Sequence, residues 1–334
     1  MSENKNKALV LVPPLVVVDT DPGTDDALAL YMLLAADKRK MIKLVAVTCV
    51  DGNTSVHHGT RNALRVLQSV DRLDVPVFKG AVEPLIVEPV PKDESRVSHA
   101  GYHGEDGFGG AKFDKEPDLG LIQNKTAVAG LTDLARQYKG RLSLVCVGPL
   151  TNVALAIKSD PEFAGNIKDI FVMGGNMSGV GNVTSCAEFN FFHDPEAAHI
   201  VLANAQSHIT LVPWEPTKAQ GMSYEWREKV FGKANTKQIE LLNKIEQTVN
   251  EKSKNPSWIP CDSFITAAFI DPSIITKLET YHLTVELHGV RTRGQVVIDH
   301  LRKCDDNVKL IKEVDLEKFK QLMYMAVDHP NCVL

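Results

Sequence analysis

Short apolar runs alternate with helix-like stretches along most of this chain. The apolar runs predict buried strands at residues 15–18, 44–48, 142–147, 170–173 and 209–212. They lack the polar alternation of a half-exposed sheet, so we expect strands that are covered on both faces, as in a parallel sheet. Helical patterns separate them, at residues 26–36, 56–70, 127–138, 152–158 and 195–205.

The succession of strand and helix predicts an α/β fold. We expect a doubly wound, mostly parallel, Rossmann-like open sheet with helices on both faces. Residues 283–287 and 295–300 predict a hairpin that is added at an edge of this sheet. No repeat, low-complexity tract or linker divides the chain, which predicts a single domain over residues 1–334.

Two segments interrupt this rhythm. Residues 83–112 are rich in proline, glycine and charge, and they are too long for an ordinary connection. Residues 218–260 form a polar segment with helical patterns that is not part of the strand-helix alternation. We predict that both segments act as lids.

Composition excludes several classes of protein. The 334 residues are 44% hydrophobic, which allows a large core, and the net charge of −5 comes with no basic block, so we expect no nucleic-acid partner. No stretch is long and apolar enough for a bilayer, and the start lacks a signal-peptide cleavage site. The six cysteines are scattered without paired spacing, which suits free thiols in a reducing cytoplasm.

An acidic cluster follows the first predicted strand. Asp19, Asp21, Asp25 and Asp26 place four carboxylates within eight residues, and the turn at Pro22-Gly23 brings Asp21 close to the last two. Carboxylates this close raise each other's pKa unless a cation or hydrogen-bond donors compensate. Capping of the next helix explains one or two of them. Four predict a hard-cation site, and oxygen ligands without a Cys or His pair favour calcium or magnesium over zinc.

The stretch DTDPGTDDA at residues 19–27 resembles the N-terminal motif of the inosine-uridine-preferring nucleoside hydrolase family. Other similar stretches follow in the family's order, namely residues 51–53, 103–107, 147–152, 173–175, 187–190, 194–198 and 261–262. The resemblance runs from about residue 15 to about residue 320. It implies an enzyme that hydrolyses the N-glycosidic bond of ribonucleosides to ribose and free nucleobase, with a small-molecule substrate, a place in purine or pyrimidine salvage, and a homodimeric or homotetrameric assembly.

The resemblance also implies a calcium ion (Ca2+). In the family the ion is held by two aspartates of the first loop, a backbone carbonyl, a distant aspartate and the substrate ribose, and these roles fall on Asp21, Asp26, the carbonyl of Val147, and Asp262. A helix N-cap is an alternative explanation for Asp262, which is also expected to contact the substrate. The ion would bind a water molecule and lower its pKa, and Asp21 would take the proton as general base.

Ribose contacts are implied at Asp25, Asn53, Asn182, Glu188 and Asn190. If the segment around Glu188 is extended, its side chain and that of Asn190 face the same side. Without the resemblance, each of these residues would be interpreted as a surface or turn residue. Asn182 in particular follows a glycine in a common turn pair.

Cys261 departs from the family pattern. Members that prefer inosine and uridine carry a histidine directly before the last metal aspartate, where it can protonate the departing base. A thiol, with a pKa of about 8.5, is a weak donor, and its usual role is packing. His103, in the family's His-Gly loop, is therefore a candidate catalytic donor or base contact. Trp258 and Tyr224 are predicted to stack on the nucleobase, although packing explains Trp258 equally well.

Three other interpretations stay open. Asp19-Thr20-Asp21 has the Asp-x-Asp pattern of a haloacid-dehalogenase-like phosphohydrolase, but Gly23 stands where that family has Thr or Val. Cys261 alone supports a catalytically silent calcium- or nucleoside-binding protein. A cysteine hydrolase using Cys261 and His103 would leave the four aspartates unexplained.

Overall fold

A computed structural model describes residues 12–87, 101–206, 208–253 and 256–334. The strands are β1 (Leu15–Thr20), β2 (Lys43–Cys49), β3 (Val77–Lys79), β4 (Leu142–Cys146), β5 (Ile167–Met173), β6 (His208–Val212), β7 (Ile275–Tyr281), β8 (Leu283–Val285), β9 (Val296–Ile298) and β10 (Val308–Val314). The α-helices are α1 (Thr24–Lys38), α2 (Val56–Ser69), α3 (Ala127–Gln137), α4 (Thr151–Ser159), α5 (Phe163–Asn166), α6 (Phe189–His193), α7 (Pro195–Asn204), α8 (Trp214–Ala219), α9 (Tyr224–Lys229), α10 (Lys237–Lys252), α11 (Cys261–Ile270) and α12 (Leu316–Ala326).

The central sheet is mostly parallel. Within the described ranges it has eight strands in the order β3-β2-β1-β4-β5-β6-β10-β7. All neighbours are parallel except β10 and β7. The first six strands have the doubly wound order, so the predicted fold class is confirmed, and all five predicted strands are present.

The sheet separates two hydrophobic cores because successive side chains of a strand point to opposite faces. In β1, Val16 and Val18 join the core that contains α1, α2, α10, α11 and α12. Leu15 and Val17 join the core that contains α3, α4 and α7. Burial on both faces explains why β1 reads as an uninterrupted apolar run.

The residues predicted for an edge hairpin form a separate structure instead. β8 and β9 pair antiparallel, but they make their own two-stranded sheet. Leu283, Val285 and Val296 bury their side chains in the core beneath α7, so this hairpin cannot extend the main sheet. The antiparallel edge is β7, whose lysine and glutamate obscure its strand pattern.

The structure describes only part of the two predicted lid segments. Residues 88–100 of the first lie outside the described residues. In the second, α10 packs on α1 and α2 through Ile239, Leu242 and Ile245. No helix in the described parts of the chain is both long and apolar enough to cross a membrane.

Candidate active site

The acidic loop lies at the point where the order of the sheet reverses. β1 ends at Thr20 and β4, its neighbour, ends at Cys146, so Asp21 and Val147 leave the same edge of the sheet side by side. Ligands of open α/β sheets bind in this crevice. Gly52 and Gly148 pack against the carboxylate of Asp21, and a Cβ on Gly148 would lie 2.7 Å from Asp21 Oδ1. Two glycines therefore leave room for one carboxylate between the strand ends.

Asp26 holds the turn of this loop in place. Its carboxylate accepts hydrogen bonds from the backbone N–H of Gly23 at 2.9 Å and of Asp21 at 3.3 Å, and from the Thr20 hydroxyl. The side-chain amide of Asn53 donates to Asp26 Oδ2 at 3.0 Å. The capping explanation is thus correct for Asp26, but it does not account for Asp21 or Asp25.

Three carboxylates converge at the mouth of the crevice. One carboxylate oxygen each from Asp25, Asp26 and Asp262 lies within 4.8 Å of the others. Asp21 stands beside this triad: its Oδ2 accepts the Asn53 backbone N–H at 2.6 Å. Within the described residues, Asp21 Oδ1, Asp25 Oδ1 and Asp262 Oδ2 are buried without a hydrogen-bond partner. Such orphaned oxygens are rare and costly in a folded protein.

Burial and mutual repulsion make these carboxylates hard to ionise. Burial raises the pKa of Asp21 well above its ordinary value, and the charge of Asp26 raises it further. The pKa of Asp262 is likewise raised well above its usual range, by burial first and then by Asp25. Burial also raises the pKa of Asp25 to about 6. A bound cation would offset the cost of ionising these carboxylates. Carboxylate oxygens are ligands that suit a hard cation such as calcium or magnesium.

Asn190 and Glu188 form the opposite wall. The Asn190 side-chain amide donates to the carbonyl oxygens of Val147 at 3.0 Å and Met173 at 3.2 Å, tying the ends of β4 and β5 together. The carbonyl of Val147 keeps a second lone pair for another partner. Glu188 is the N-cap of α6, where it accepts backbone N–H bonds from Asn190 and Phe191, and burial raises its pKa to about 7.

The segment after Glu188 is helical, so the extended geometry considered for residues 188–190 does not hold. Both side chains are nevertheless buried at the strand ends, because the cap bond turns Glu188 back towards the start of α6. Asn182 differs from the other predicted ribose residues. It is exposed, in a turn where its N–H donates to the Ala187 carbonyl at 3.2 Å.

The family model described as inosine-uridine preferring nucleoside hydrolase matches residues 16–321. The chain belongs to this family. It is a nucleoside hydrolase, an enzyme that hydrolyses the N-glycosidic bond of ribonucleosides. This membership also excludes the haloacid-dehalogenase alternative. The match covers nearly the whole sheet and includes both the aspartate loop at residues 19–26 and Asp262.

Similar proteins cover nearly the whole chain. An inosine-uridine preferring nucleoside hydrolase of Leishmania major is 31% identical, over 95% of this chain and 98% of its own. A pyrimidine-specific ribonucleoside hydrolase, RihA, of Klebsiella pneumoniae is 33% identical, over 92% and 96% of the two chains. Among solved structures, an inosine-guanosine nucleoside hydrolase superposes with a TM-score of 0.85 at 29% identity, covering 94% of this chain and 98% of that one.

His103 reaches the nucleoside hydrolase site from within the first predicted lid segment, residues 83–112. The backbone N–H of Thr24 donates to His103 Nδ1 at 3.1 Å, so the neutral ring carries its proton on Nε2. That Nε2 lies 3.7 Å from Asp25 Oδ1. Burial lowers the pKa of His103 to about 4. The ring is thus held as a neutral N–H donor that faces the carboxylate cluster.

Cys261 and Trp258 both have structural partners. Cys261 is the first residue of α11, and its thiol lies 3.7 Å from the Ile259 carbonyl oxygen. Burial raises its pKa well above the ordinary value, which makes the thiol a still weaker acid. The Trp258 indole N–H donates to Glu246 Oε2 at 3.0 Å, and its ring packs near Phe231. Trp258 is 5% exposed, as a packing residue would be.

A small pocket lies beside Asp25, and of its lining residues only Asp25 and Trp258 are predicted from the sequence. It is lined by Thr24, Asp25, Tyr102, Glu246, Val249, Asn250, Trp258 and Ile259. Glu246 is buried on the apolar face of α10, between Ile245 and Val249, so a charged residue on an otherwise apolar helical stripe was the available signal. Its carboxylate also pairs with buried Arg227 at 3.0 Å.

Asp19 belongs to the predicted acidic cluster, but its contacts give it a structural role. Its Oδ1 accepts from the Thr48 hydroxyl at 2.5 Å and from the Asn152 side-chain amide at 2.9 Å. These bonds fasten β1 to β2 and to the start of α4 directly beneath Asp21. Nothing in the local sequence distinguishes Asp19 from the aspartates that follow it.

Proposed function

We propose that this nucleoside hydrolase is calcium-dependent, with Asp21, Asp26, the Val147 carbonyl and Asp262 as the protein ligands. The observation that carries the proposal is the convergence of buried carboxylates, with oxygens of Asp25, Asp26 and Asp262 within 4.8 Å of one another. Asp25 belongs to this triad, but its Oδ1 faces His103 Nε2, which suits a residue that binds a substrate hydroxyl. A bound calcium ion would supply positive charge and lower the pKa of a water molecule at the site.

Asp21 is suited to act as the general base. Its Oδ2 is anchored by the Asn53 backbone N–H at 2.6 Å, while Oδ1 has no protein donor in the described residues. One oxygen therefore fixes the orientation of the carboxylate and the other is left to accept a proton from water. Burial raises the pKa of Asp21, and a calcium ion bound beside it would offset this shift, so that the carboxylate is ionised and can accept the proton.

The ribose is proposed to bind between the aspartate loop and the α6 wall. The amide nitrogens of Asn53 and Asn190 are engaged by Asp26 and by two carbonyls, so each side chain presents its oxygen as a hydroxyl acceptor. Glu188 is held by three backbone N–H groups, which fixes its carboxylate before substrate arrives. Asp25 and Asn182 complete the proposed contacts. Groups oriented in advance lose little entropy when they bind the hydroxyls.

Departure of the nucleobase is proposed to depend on a hydrogen bond from the Nε2–H of neutral His103, with the departing base taking its proton from water, rather than on the Cys261 thiol. We expect Cys261→Ala to change hydrolysis of a natural nucleoside and of p-nitrophenyl riboside by a similar small factor, because a buried thiol of raised pKa donates poorly. His103→Ala is expected to slow the natural nucleoside by roughly a hundredfold while sparing the activated riboside, whose leaving group needs no donor.

Steady-state kcat on the two substrates measures both effects. His103→Gln is the matched variant, since its amide keeps a donor at a similar reach and should recover part of the lost rate. A large loss confined to natural nucleosides in Cys261→Ala, with none in His103→Ala, would reverse the assignment.

The nucleobase preference is best found by direct assay, because the similar proteins are named for different base preferences. They include an inosine-uridine preferring, a pyrimidine-specific and a purine-preferring enzyme. Inosine, adenosine, guanosine, uridine and cytidine, each followed by chromatography for free base with and without a chelator, form the deciding panel. We expect release of free base from at least one of them. Calorimetric binding of ribose without any base release would favour the catalytically silent alternative.

Calcium is expected to stabilise the fold as well as the site. At a calcium concentration of 100 times its Kd, the free energy of unfolding should rise by about 2.7 kcal/mol, visible as a higher Tm. In Asp262→Asn this gain should largely disappear, while the metal-free variant should melt above metal-free wild type because one charge of the cluster is gone. Differential scanning calorimetry measures both, and an unchanged Tm in wild type on calcium addition contradicts the prediction.

A further inference from the structure

A cavity of about 420 Å3 lies between α2 and the loop of residues 106–116. One wall is a single face of α2, with His58, Arg61, Asn62 and Arg65 at helical spacing. The other wall is formed by Asp106, Ala111, Lys112, Phe113 and Glu116. The volume falls within the range of small-molecule sites. None of the roles proposed above uses this cavity.

Arg65 is held rigidly in the cavity. Its guanidinium lies over the Phe113 ring, 4.3 Å from the ring centroid, and it donates to Glu116 Oε1 at 2.6 Å. The Arg65 side chain is 11% exposed. A guanidinium stacked on an aromatic ring keeps its donors in a fixed plane, which favours recognition of an anion with several oxygens.

The two arginines have donors that the described residues leave unfilled. Nε of Arg61 and Nε of Arg65 are both buried without a hydrogen-bond partner among these residues. Glu116 Oε2 is 3.4 Å from Arg61 Nε, close enough for ion pairing. One carboxylate therefore bridges the two guanidinium groups, but it satisfies neither Nε. Buried donors of charged groups are costly to leave in this state.

The charge of the cavity favours an anion. Arg61, Arg65 and Lys112 contribute three positive charges against two negative ones, from Asp106 and Glu116. Asp106 Oδ1 is committed to its own loop, where it accepts backbone N–H groups at 3.0 and 2.9 Å. The Glu116 side chain is 63% exposed, so it can swing into solvent when another anion arrives.

We propose that this cavity is a second ligand site, which binds the phosphate group of free phosphate or of a small phosphate monoester. Arg61 and Arg65 bind the phosphate oxygens, Lys112 adds a third positive charge, and Glu116 competes with the ligand for the two guanidinium groups. A phosphate has more acceptor oxygens than the carboxylate that now bridges the arginines. It can therefore fill the Nε donors that Glu116 leaves open.

Calorimetric titration of the calcium-loaded full-length enzyme, freed of excess calcium, tests the proposal with inorganic phosphate and with glycerol 3-phosphate. Arg61→Gln is expected to weaken binding by about tenfold or more, the value of a charge-assisted hydrogen bond. Glu116→Gln is expected to tighten binding several-fold because the internal competitor is removed. Arg136→Gln, which removes the same charge from α3, is the matched control and should leave Kd within about twofold.

The two probes separate the sources of the phosphate. Similar Kd values indicate that the phosphate group alone is recognised, whereas tighter binding of glycerol 3-phosphate indicates a monoester, and either supports the site. Absence of saturable binding in both wild type and Glu116→Gln would overturn it. Equal weakening in Arg61→Gln and Arg136→Gln would also overturn it, by showing a general effect of surface charge.

Discussion

Replacing Asp21 with asparagine is expected to lower kcat for ribonucleoside hydrolysis by roughly a thousandfold, within the range known for loss of a general base. Asparagine has nearly the same shape, so the Asn53 backbone N–H can still bond its oxygen. It cannot take a proton from water, and it removes one negative charge from the cluster. The reaction should therefore fail at the chemical step, with a much smaller change in KM.

The measurement is steady-state release of free base, with calcium held in excess so that weaker metal binding does not limit the rate. Asp160→Asn is the matched control: it also neutralises a buried carboxylate, but one that pairs with Arg136 at 3.0 Å away from the site. The control should keep wild-type kcat. An Asp21→Asn enzyme within tenfold of wild type would remove Asp21 from the role of base.

A 2′-deoxynucleoside is expected to react about 10⁴-fold more slowly, in kcat/KM, than the matching ribonucleoside. A site built to bond a hydroxyl rejects the analogue without it by factors of this order, because buried polar groups are left unpaired. Two of the proposed ribose contacts are rigid: Glu188 is capped onto α6, and the Asn190 amide is tied to Val147 and Met173. They cannot rearrange to satisfy one another when the hydroxyl is missing.

Competition between uridine and 2′-deoxyuridine, or the matching pair for the preferred base, measures this ratio. Asn190→Ala should lower the rate on the ribonucleoside and leave the deoxy analogue less changed, so the ratio should shrink. Equal rates on the two substrates in wild type would show that the assigned ribose contacts are incorrect.

The parts of the fold that were predictable are those set by local sequence. β1 is buried on both faces, so its apolar run predicts a central strand, and the aspartates that follow must then lie at the carboxyl edge of the sheet. The sequence did not predict β7, because β7 is an exposed edge strand that carries lysine and glutamate. The hairpin of β8 and β9 is predicted from the sequence. Its position is not, because it depends on a tertiary contact with α7 that the local sequence does not specify.

The candidate active site also contains residues that local sequence predicts and residues whose position depends on tertiary contacts. Asp21 and Asp26 are neighbours in sequence, and the turn between them was predictable. The approach of Asp262 depends on α11 packing against α1, a tertiary contact, so only the family resemblance indicated it. Trp258 illustrates the limit of residue type: its indole N–H donates to buried Glu246, and the same side chain lines the pocket beside Asp25, so residue type alone does not separate packing from base stacking. Glu246 itself was missed because its partner Arg227 lies on a different helix.

Activity with and without bound calcium is the decisive test of the proposed metal site. The enzyme is stripped with chelator, its metal content is verified by elemental analysis, and release of free base is followed as calcium is added back. We expect the metal-free enzyme to retain less than about 1% of its activity, and about one equivalent of bound calcium to restore it. Full activity in a verified metal-free sample would contradict the account, because the buried carboxylates of Asp21, Asp26 and Asp262 would then need another explanation.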